Sequence, residues 1–340
     1  MSSTFFSKIK NKLASLWNHV PFLTSILGIW PRYIEPRLIT RSTLNLVFPT
    51  LSKDLQGLRI IHFSDLHIND YTRESFLNKL RDRILFLEPH IICFTGDFLT
   101  YSKLHNKELL SNFLNSLSAE YGCFCILGNH DYEQYVSPNN EGDYDLVKKA
   151  PNPWVRAYHK FFQSSKLTGK HTPAVANLSP HRELMEIIEE SPFTLLNNQT
   201  IQIEIGSTQL NICGLGDHMS GHADVEAAYA NYAPEYSGIV LAHSPDAISL
   251  LKGHPANLVL SGHSHAGQIN LPFLRDRFIR LENSSYRYGL HPVDGKHLFI
   301  TRGVGSPFPF RFLAPPEILI VVLSELEKEE EEDESIDLED

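Results

Sequence analysis

Short apolar runs recur along the chain from Leu58 onward, and most of them stop at a cluster of Asp, His, Asn or Gly. Leu58-Arg-Ile-Ile-His-Phe63 ends at Ser64-Asp65-Leu66-His67, Ile91-Ile-Cys-Phe-Thr95 at Gly96-Asp97, and Phe124-Cys-Ile-Leu127 at Gly128-Asn129-His130-Asp131. Ile239-Val-Leu-Ala242 ends at His243, and Leu258-Val-Leu260 at Ser261-Gly-His263-Ser-His265. Runs this short, bounded by turn residues, predict strands whose ends carry the polar chemistry. Between the first three, Phe76, Leu80, Ile84 and Leu87 repeat at helical spacing until Pro89, and Leu109, Leu110, Phe113, Leu114 and Leu117 repeat likewise. Alternating strand and helix predicts an α/β domain with helices covering a largely parallel sheet. Ligands of such sheets bind outside the carboxyl ends of the strands, where these clusters lie.

One segment, 135–180, breaks the rhythm and reads as an insertion, rich in Asn, Pro, Ser, Gly and Lys with little strand pattern. Within it Trp154, Val155, Tyr158, Phe161 and Phe162 fall at helical spacing, with Arg156, His159 and Lys160 mostly toward the other side. That is an amphipathic helix with an aromatic face, either self-packed on a surface loop or forming a substrate lid.

The main domain is expected over 55–324, preceded by an arm over 1–54. In the arm, Lys8, Lys10 and Lys12 precede an apolar stretch from Leu13 to Trp30 that Asn18, His19, Pro21, Thr24 and Ser25 interrupt. A spanning helix needs roughly twenty mostly apolar residues, so this stretch suits a segment lying in the membrane interface, or an arm packed on its own domain. No small-residue cleavage site or twin arginine follows the basic start, so no signal peptide is expected.

Charge changes the picture little. The net charge of −10 arises in the segment 325–340, which carries eleven acids and one base, Lys328; the remainder balances at 29 acids and 29 bases. Without a basic excess, no nucleic-acid partner is expected. The acidic tail reads as solvated and disordered, or as a partner-binding tail. Hydrophobic residues at 42% supply a substantial core. Cys93, Cys123, Cys125 and Cys213 lie in apolar runs without zinc-knuckle spacing, which points to reduced, buried thiols in a cytoplasmic protein.

The clustered donors suit a two-metal hydrolase. Two cations roughly 3.5–4 Å apart repel unless negative charge lies between them, and Asp97 is the candidate bridge. Asp65 and His67, two apart at a strand end, can turn toward one ion, with His265 completing its set. Asn129, His243 and His263 would hold the second ion together with Asp97. Imidazole, carboxylate and amide ligands without thiolate suit manganese, iron, zinc or nickel and do not choose among them. A lone Asp-x-His is more often a loop with a satisfied histidine, but five such clusters in order, each ending an apolar run, point to chemistry. His62, His218, His222 and His254 read as ordinary core or surface histidines before second-layer groups.

Asp65-Leu-His67, Gly96-Asp97, Gly128-Asn129-His130-Asp131, His243 and Gly262-His263-Ser264-His265 match the five signature blocks of the calcineurin-like metallophosphoesterases, over roughly residues 58–270. The chain resembles that family. The resemblance implies an enzyme with the family's αββα sandwich, here carrying an inserted lid-like helical segment, and two divalent metal ions, with manganese favoured. It gives His130 a role the chemistry also requires, an imidazolium that protonates or stabilises the leaving group. The nucleophile would be a hydroxide shared by the two ions, attacking phosphorus in line. Asp131 either orients the His130 ring or serves as a turn residue.

Gly262-His-Ser-His-Ala-Gly-Gln268-Ile, Tyr286-Arg-Tyr-Gly289, Thr301-Arg-Gly-Val-Gly305 and Arg311-Phe-Leu-Ala-Pro-Pro-Glu317-Ile resemble the bacterial branch that contains the YaeI and YkuE phosphoesterases, with Ala266 where that branch has Gly. The arm and the insertion resemble that branch's UDP-2,3-diacylglucosamine pyrophosphatases. This implies hydrolysis of UDP-2,3-diacylglucosamine to UMP and 2,3-diacylglucosamine 1-phosphate (lipid X) in lipid A biosynthesis, with attack on the phosphorus bonded to uridine. The partners implied are a lipid-linked nucleotide and a membrane surface, with the enzyme peripheral on the cytoplasmic face of the bacterial inner membrane. An enzyme drawing an acylated substrate from a bilayer needs an interfacial anchor and an apolar groove. The arm suits the first, and the face of Trp154, Tyr158, Phe161 and Phe162 suits the wall of the second. Arg302 and Arg311, on loops marked by glycine and proline, either pair with diphosphate oxygens or form ion pairs of their own. Arg275, Arg277 and Arg280 suit anionic headgroups. A phosphodiesterase or phosphomonoesterase acting on another phospholipid or a nucleotide would use the same metals. A binding module that had lost catalysis would lack several of these donors, and none is missing.

Overall fold

The computed structural model describes residues 23, 28–48, 51–147, 166–175, 177–272 and 279–325. The Trp154–Phe162 helix, Lys8–Lys12, Arg275, Arg277 and the acidic residues after 325 lie outside the described residues.

Four strands follow one another early in the chain: β1 (Thr40–Phe48), β2 (Arg59–Phe63), β3 (Ile91–Phe94) and β4 (Cys123–Cys125). A hairpin of β5 (Val136–Pro138) and β6 (Tyr144–Leu146) and a short β7 (Phe193–Leu195) come next. Six more are β8 (Gln199–Ile205), β9 (Thr208–Gly214), β10 (Gly238–Leu241), β11 (Leu258–Ser261), β12 (Gly289–Val293) and β13 (Lys296–Ile300), and β14 (Glu317–Glu325) ends the domain. They form two six-stranded sheets, ordered β1-β14-β2-β3-β4-β7 and β12-β13-β11-β10-β9-β8. In the first sheet β2, β3, β4 and β7 run parallel; in the second β9, β10, β11 and β13 do, with antiparallel β8 and β12 at the edges.

The period-two geometry of strands explains why the runs are apolar on both faces, Arg59 and His62 of β2 being polar exceptions. Ile60, Ile91 and Phe124 point into a core shared with Ile212, Ile239, Leu241, Leu258 and Leu260 of the other sheet. Their neighbours Ile61, Ile92 and Cys123 point the opposite way, toward the helices. Both faces are therefore covered, and no polar alternation survives.

Helix α1 (Glu74–Leu85) buries Leu77, Leu80 and Ile84, and α2 (Lys107–Asn115) buries Leu110, Phe113 and Leu114. The Asn106 side chain caps α2 by accepting from Leu109 N at 2.9 Å. With α3 (Arg182–Glu189) they cover the outer face of the first sheet. Ala228 of α4 (Val225–Tyr229) and Ala247, Ile248 and Leu251 cover Cys213, Val240 and Val259 of the second. The order of layers is helix, sheet, sheet, helix, the expected αββα sandwich. All four cysteines are buried and free, and Cys123 and Cys125 share the helix side of β4.

One boundary and one element differ from the sequence reading. Thr40–Phe48, read as part of the arm, is an edge strand pairing with β14 over its whole length, so the domain begins before residue 40. Only Leu46 of this strand is fully buried among the side chains described, and an edge strand with one apolar side hardly announces itself in sequence. The insertion contains the β5–β6 hairpin, whose strands of three residues are too short to show a period. Among the described residues no helix is long and apolar enough to cross a membrane.

Phe94 sits at the centre of the helix-side core, its ring 4.9 Å from that of Phe63 and 4.4 Å from that of Phe98. Phe94→Ala should cost about 3–5 kcal/mol in chemical denaturation with chelator present, the usual range for a buried Phe that leaves a cavity. A loss below about 1 kcal/mol would show that this core is not where the domain's stability resides.

Candidate metal centre

The five strand-end clusters meet at one rim, fed from both sheets. Asp65 and His67 follow β2, Asp97 follows β3, Asn129 and His130 follow β4, His243 follows β10, and His263 and His265 follow β11. Five of these residues leave the sheet through the left-handed region: Asp65 (φ 60°), His67 (φ 45°), Asp97 (φ 59°), His263 (φ 65°) and His265 (φ 50°). Such turns reverse the side chain's direction within a residue or two, and each carries a cost that the surrounding packing must offset. The glycines of the clusters make room for carboxylates. A Cβ on Gly128 would overlap the Asp97 carboxylate and lie 2.8 Å from His243 Cε1, and one on Gly262 would overlap the Asp65 carboxylate.

Two groups of donors result, each lying within 4.8 Å: Asp65, His67 and His265, and Asp97, His243 and His263. In the first, His67 Nε2 is 3.0 Å from His265 Nε2, and His265 Nε2 is 3.3 Å from Asp65 Oδ1. In the second, His263 Nδ1 is 3.3 Å from His243 Nε2 and 3.1 Å from Asn129 Oδ1. Asp97 Oδ2 stands between them, 3.3 Å from His67 Nε2 and 3.3 Å from His243 Nε2. Its other oxygen is anchored by His130 N at 2.9 Å.

Hydrogen bonds on the far sides of the rings decide which atoms carry lone pairs. A carbonyl only accepts, so His67 Nδ1 donates to Leu99 O at 2.9 Å and His243 Nδ1 donates to Thr95 O at 2.6 Å. In the neutral rings both Nε2 lone pairs then face the cluster. Asn129 Nδ2 donates to Val136 O, which turns Oδ1 inward. Lone pairs and carboxylate oxygens about 3.0–3.4 Å apart have the spacing of neighbours on one cation bound at roughly 2.1 Å. The donor set therefore fits two divalent ions with Asp97 shared.

His130 also lies within reach of His67 and Asp97, with Nε2 3.9 Å from Asp97 Oδ2. It is no ligand. Tyr101 N donates to His130 Nδ1 at 2.8 Å, which leaves the proton of the neutral ring on Nε2, pointing toward the cluster. Burial holds its pKa well below the usual histidine range, so burial and the Tyr101 bond both favour the neutral N–H donor over the expected imidazolium. The rings of Tyr135 (4.3 Å) and Tyr101 (5.2 Å) flank it.

Three expected roles change. Asp131 does not orient that ring: Oδ2 accepts from Asp97 N at 2.7 Å and Gly128 N at 2.9 Å, and Oδ1 accepts from Leu99 N at 2.9 Å. Arg302 pairs with buried Glu317 at 3.0 Å, which takes its guanidinium away from a diphosphate. Arg311 is fully buried; it donates to the carbonyls of Arg302 (2.9 Å), Gly303 (3.2 Å), Ala314 (2.8 Å) and Gly305, and its Nη2 lies 3.4 Å from His265 Nδ1, so its fork shapes that loop and backs the His265 ring. The loop in turn is bonded to the Asp65 turn through Val304 N to Ser64 O and Gly305 N to Asp65 O. Of the lesser histidines, His62 bonds Thr95 Oγ1, His218 pairs with Glu282, His222 stacks on Tyr132 and His254 lies beside Tyr229. Sequence reasoning missed Tyr101 and Tyr135; the first acts through a backbone N–H, which any residue supplies.

Electrostatics show a site that calls for positive charge. Burial pushes Asp65 up to about 7, with Asp97 adding to the shift. Burial works against charge on His243 too, yet Asp97, and then Asp65 and Asp217, outweigh it and hold His243 up at about 10. Burial takes His67 down to about 4 and His263 down to about 3.

The family model described as calcineurin-like phosphoesterase matches residues 58–267. The chain is 38% identical over 308 residues to the UDP-2,3-diacylglucosamine pyrophosphatase LpxG of Chlamydia muridarum, covering 86% of this chain and 92% of that protein. It is 29% identical to the uncharacterised metallophosphoesterase YkuE of Bacillus subtilis, over 86% and 88% of the two chains. It is 24% identical to the phosphodiesterase YaeI of Escherichia coli, over 78% and 82%.

Loading the site must displace protons from Asp65 and His243, because a donor atom cannot serve a proton and a cation together. Affinity for a divalent ion should therefore rise with pH through about 7 and go on rising toward the His243 value of about 10, with protons released on binding. Calorimetric titration of the metal-free protein in buffers of different ionisation enthalpy measures both quantities. An affinity that is flat across this window would remove these two groups from the ligand set.

Proposed function

The chain belongs to the calcineurin-like phosphoesterases, hydrolytic enzymes with a dinuclear divalent metal site, and from that premise we propose that it hydrolyses UDP-2,3-diacylglucosamine to UMP and 2,3-diacylglucosamine 1-phosphate. What carries the substrate is the 38% identity to LpxG along 86% of this chain, joined to a complete set of donors at the rim. Asp65, His67 and His265 would hold one ion, Asn129, His243 and His263 the other, and Asp97 both. Manganese is the ion we favour by resemblance to the family, since the mixed oxygen and imidazole donors suit it as they suit iron, zinc and nickel. Bound there, the two ions supply Lewis acidity and lower the pKa of water at the site.

The chain's own residues supply the rest. Asp97 keeps one oxygen on His130 N and leaves the other between the two donor groups. Tyr101 N fixes the tautomer that presents His130 Nε2–H to the substrate. Because a second proton on the ring would displace the Tyr101 bond, His130 stabilises charge on the phosphoryl or leaving-group oxygen by hydrogen bonding instead of delivering a proton from an imidazolium. The carbonyls of Leu99 and Thr95 hold the His67 and His243 rings in the orientation and tautomer that ligation requires. The enzyme would work as a peripheral protein on the cytoplasmic face of the inner membrane, with the aromatic face of Trp154, Tyr158, Phe161 and Phe162 against the acyl chains. Similarity to YaeI favours a second reading, a phosphodiesterase of another phospholipid or a nucleotide. Incubation with UDP-2,3-diacylglucosamine and Mn²⁺ separates the two: UMP and the acylated sugar phosphate support the first, and an unchanged substrate beside rapid hydrolysis of other diesters supports the second.

His130→Ala should lower kcat by about 10²–10³-fold, the scale of one transition-state hydrogen bond, while two ions per chain remain. His130→Asn, which restores an N–H donor, should recover part of that loss. If both variants lose metal, His130 is a ligand and the tautomer argument fails. Replacing two of Trp154, Tyr158, Phe161 and Phe162 by Ser should raise KM for the diacylated substrate by more than about tenfold, since each buried aromatic is worth roughly 1.5–3 kcal/mol. Hydrolysis of a small soluble diester should barely change, and equal damage to both substrates would make that face structural.

A further inference from the structure

Beside the metal centre, a row of cations that find no carboxylate partner among the described residues lies where the segment Trp30–Arg37 meets α1. A groove of about 550 Å³ there is walled by Arg32, Arg37, Arg73 and Lys79. A second, of about 660 Å³, shares Ser75 and Lys79 with the first and adds Arg41 and Arg83. The carboxylates on these walls are engaged elsewhere: Asp70 by His105 at 2.9 Å and Asp82 by Arg81 at 2.7 Å. The cations find only neutral partners among the described residues. Arg37 donates to Tyr33 O, Arg83 to Ile39 O and Lys79 to Arg37 O, while Arg32 lies over the rings of Tyr33 and Phe308.

Large apolar side chains stand exposed beside them. Phe86 is 82% exposed and Tyr71 62%, and Tyr33 is also on the surface. A site for a soluble phosphate needs the cations but gains nothing from rings held out in water. Guanidinium forks that match phosphate oxygens, next to exposed aromatics, form the combination that favours the headgroup layer of an anionic bilayer. The chain ahead of this segment has the same chemistry, with Lys8, Lys10 and Lys12 before the apolar stretch that ends at Trp30. The loop that brings Asp65 and His67 to the rim also walls the first groove, through Leu66, His67 and Asn69.

We propose that this basic, aromatic-edged face takes the phosphate headgroups of an anionic phospholipid bilayer and seats the enzyme there with the Asp65–Asn69 loop beside the lipid. The proposal goes beyond the identity of the substrate and leans on that reading only in that an acylated substrate is drawn from a membrane. Binding is measured without substrate, so the two can fail separately.

The test is co-sedimentation of the full-length, metal-loaded protein with vesicles of phosphatidylcholine alone or with about a third phosphatidylglycerol. Binding is expected on the anionic vesicles only, weakening as salt rises. R37E/R73E/K79E should weaken it by at least about tenfold while the melting temperature and the two-ion content hold. Should that variant melt early, R73Q/K79Q asks the same question, with a loss of at least about threefold expected. Undiminished binding by the groove variants, with loss confined to K8E/K10E/K12E, overturns the proposal in favour of the amino-terminal segment alone. Equal binding to neutral vesicles overturns it as well. So does block of anionic-vesicle binding by millimolar glycerol 3-phosphate, which would make the groove a site for a soluble phosphate.

Discussion

A buried carboxylate that accepts three backbone N–H groups fixes where two loops cross. Asp131 takes the N–H of Asp97 and Leu99 from the turn after β3 and that of Gly128 from the turn after β4. Without it those donors would be buried and unsatisfied, each at a cost of about 1–3 kcal/mol. With it the two turns are held together, and the rest of the centre follows. Asp97 presents its carboxylate between the two groups of donors, His130 N anchors one of its oxygens, and the Leu99 carbonyl stands where it can orient His67. One side chain outside the donor set thus sets the positions of two donors, Asp97 and His67, and of the turn that carries His130.

The centre holds left-handed backbone at Asp65, His67, Asp97, His263 and His265, none of them glycine. Residues of this kind in that region cost of order 1–3 kcal/mol each, and they persist only where the surroundings over-determine them. Here the surroundings are two layers of core: the aliphatic layer between the sheets and the aromatic layer under α1 and α2. Burial adds a second cost, because Asp65, Asp97, Asp131 and Asp217 are all withdrawn from water. The upward pKa of His243 is the same fact seen from the other side, since Asp97, with Asp65 and Asp217, outweighs burial and favours positive charge on that ring. Two divalent ions satisfy that demand better than protons do, which gives metal loading a stabilising effect on the whole rim.

How much of this was legible in sequence follows from which interactions are local. The donors were legible because each stands at the end of an apolar run, where a buried strand has no other use for Asp, His or Asn. Helices α1 and α2 were legible from one-sided burial at Phe76, Leu80 and Ile84 and at Leu110, Phe113 and Leu114. Strand β1 was not, because its partner β14 lies at the other end of the domain and its exposed face carries no signal. The fates of Arg302 and Arg311 depend on Glu317 and on four carbonyls that only the folded loop brings together. The protonation of His130 depends on a backbone N–H at residue 101, and that leaves no trace in the identity of any side chain.

The donors also divide between the sheets: Asp65, His67, Asp97 and Asn129 come from the first, and His243, His263 and His265 from the second. Each donor group draws on both, since His265 completes the group of Asp65 and His67, and Asp97 joins that of His243 and His263. The separation of the two donor groups is therefore set by how the sheets pack, and the aliphatic layer of Ile60, Ile91, Ile212, Ile239 and Leu258 becomes part of the site's geometry. Productive constellations tolerate only about 0.5 Å of error, whereas a sheet interface that has lost methyl groups relaxes by partial collapse. A fold that builds its site across two sheets needs a core packed to near-crystalline density between them. The apolar runs that precede the donor clusters in the sequence meet that requirement.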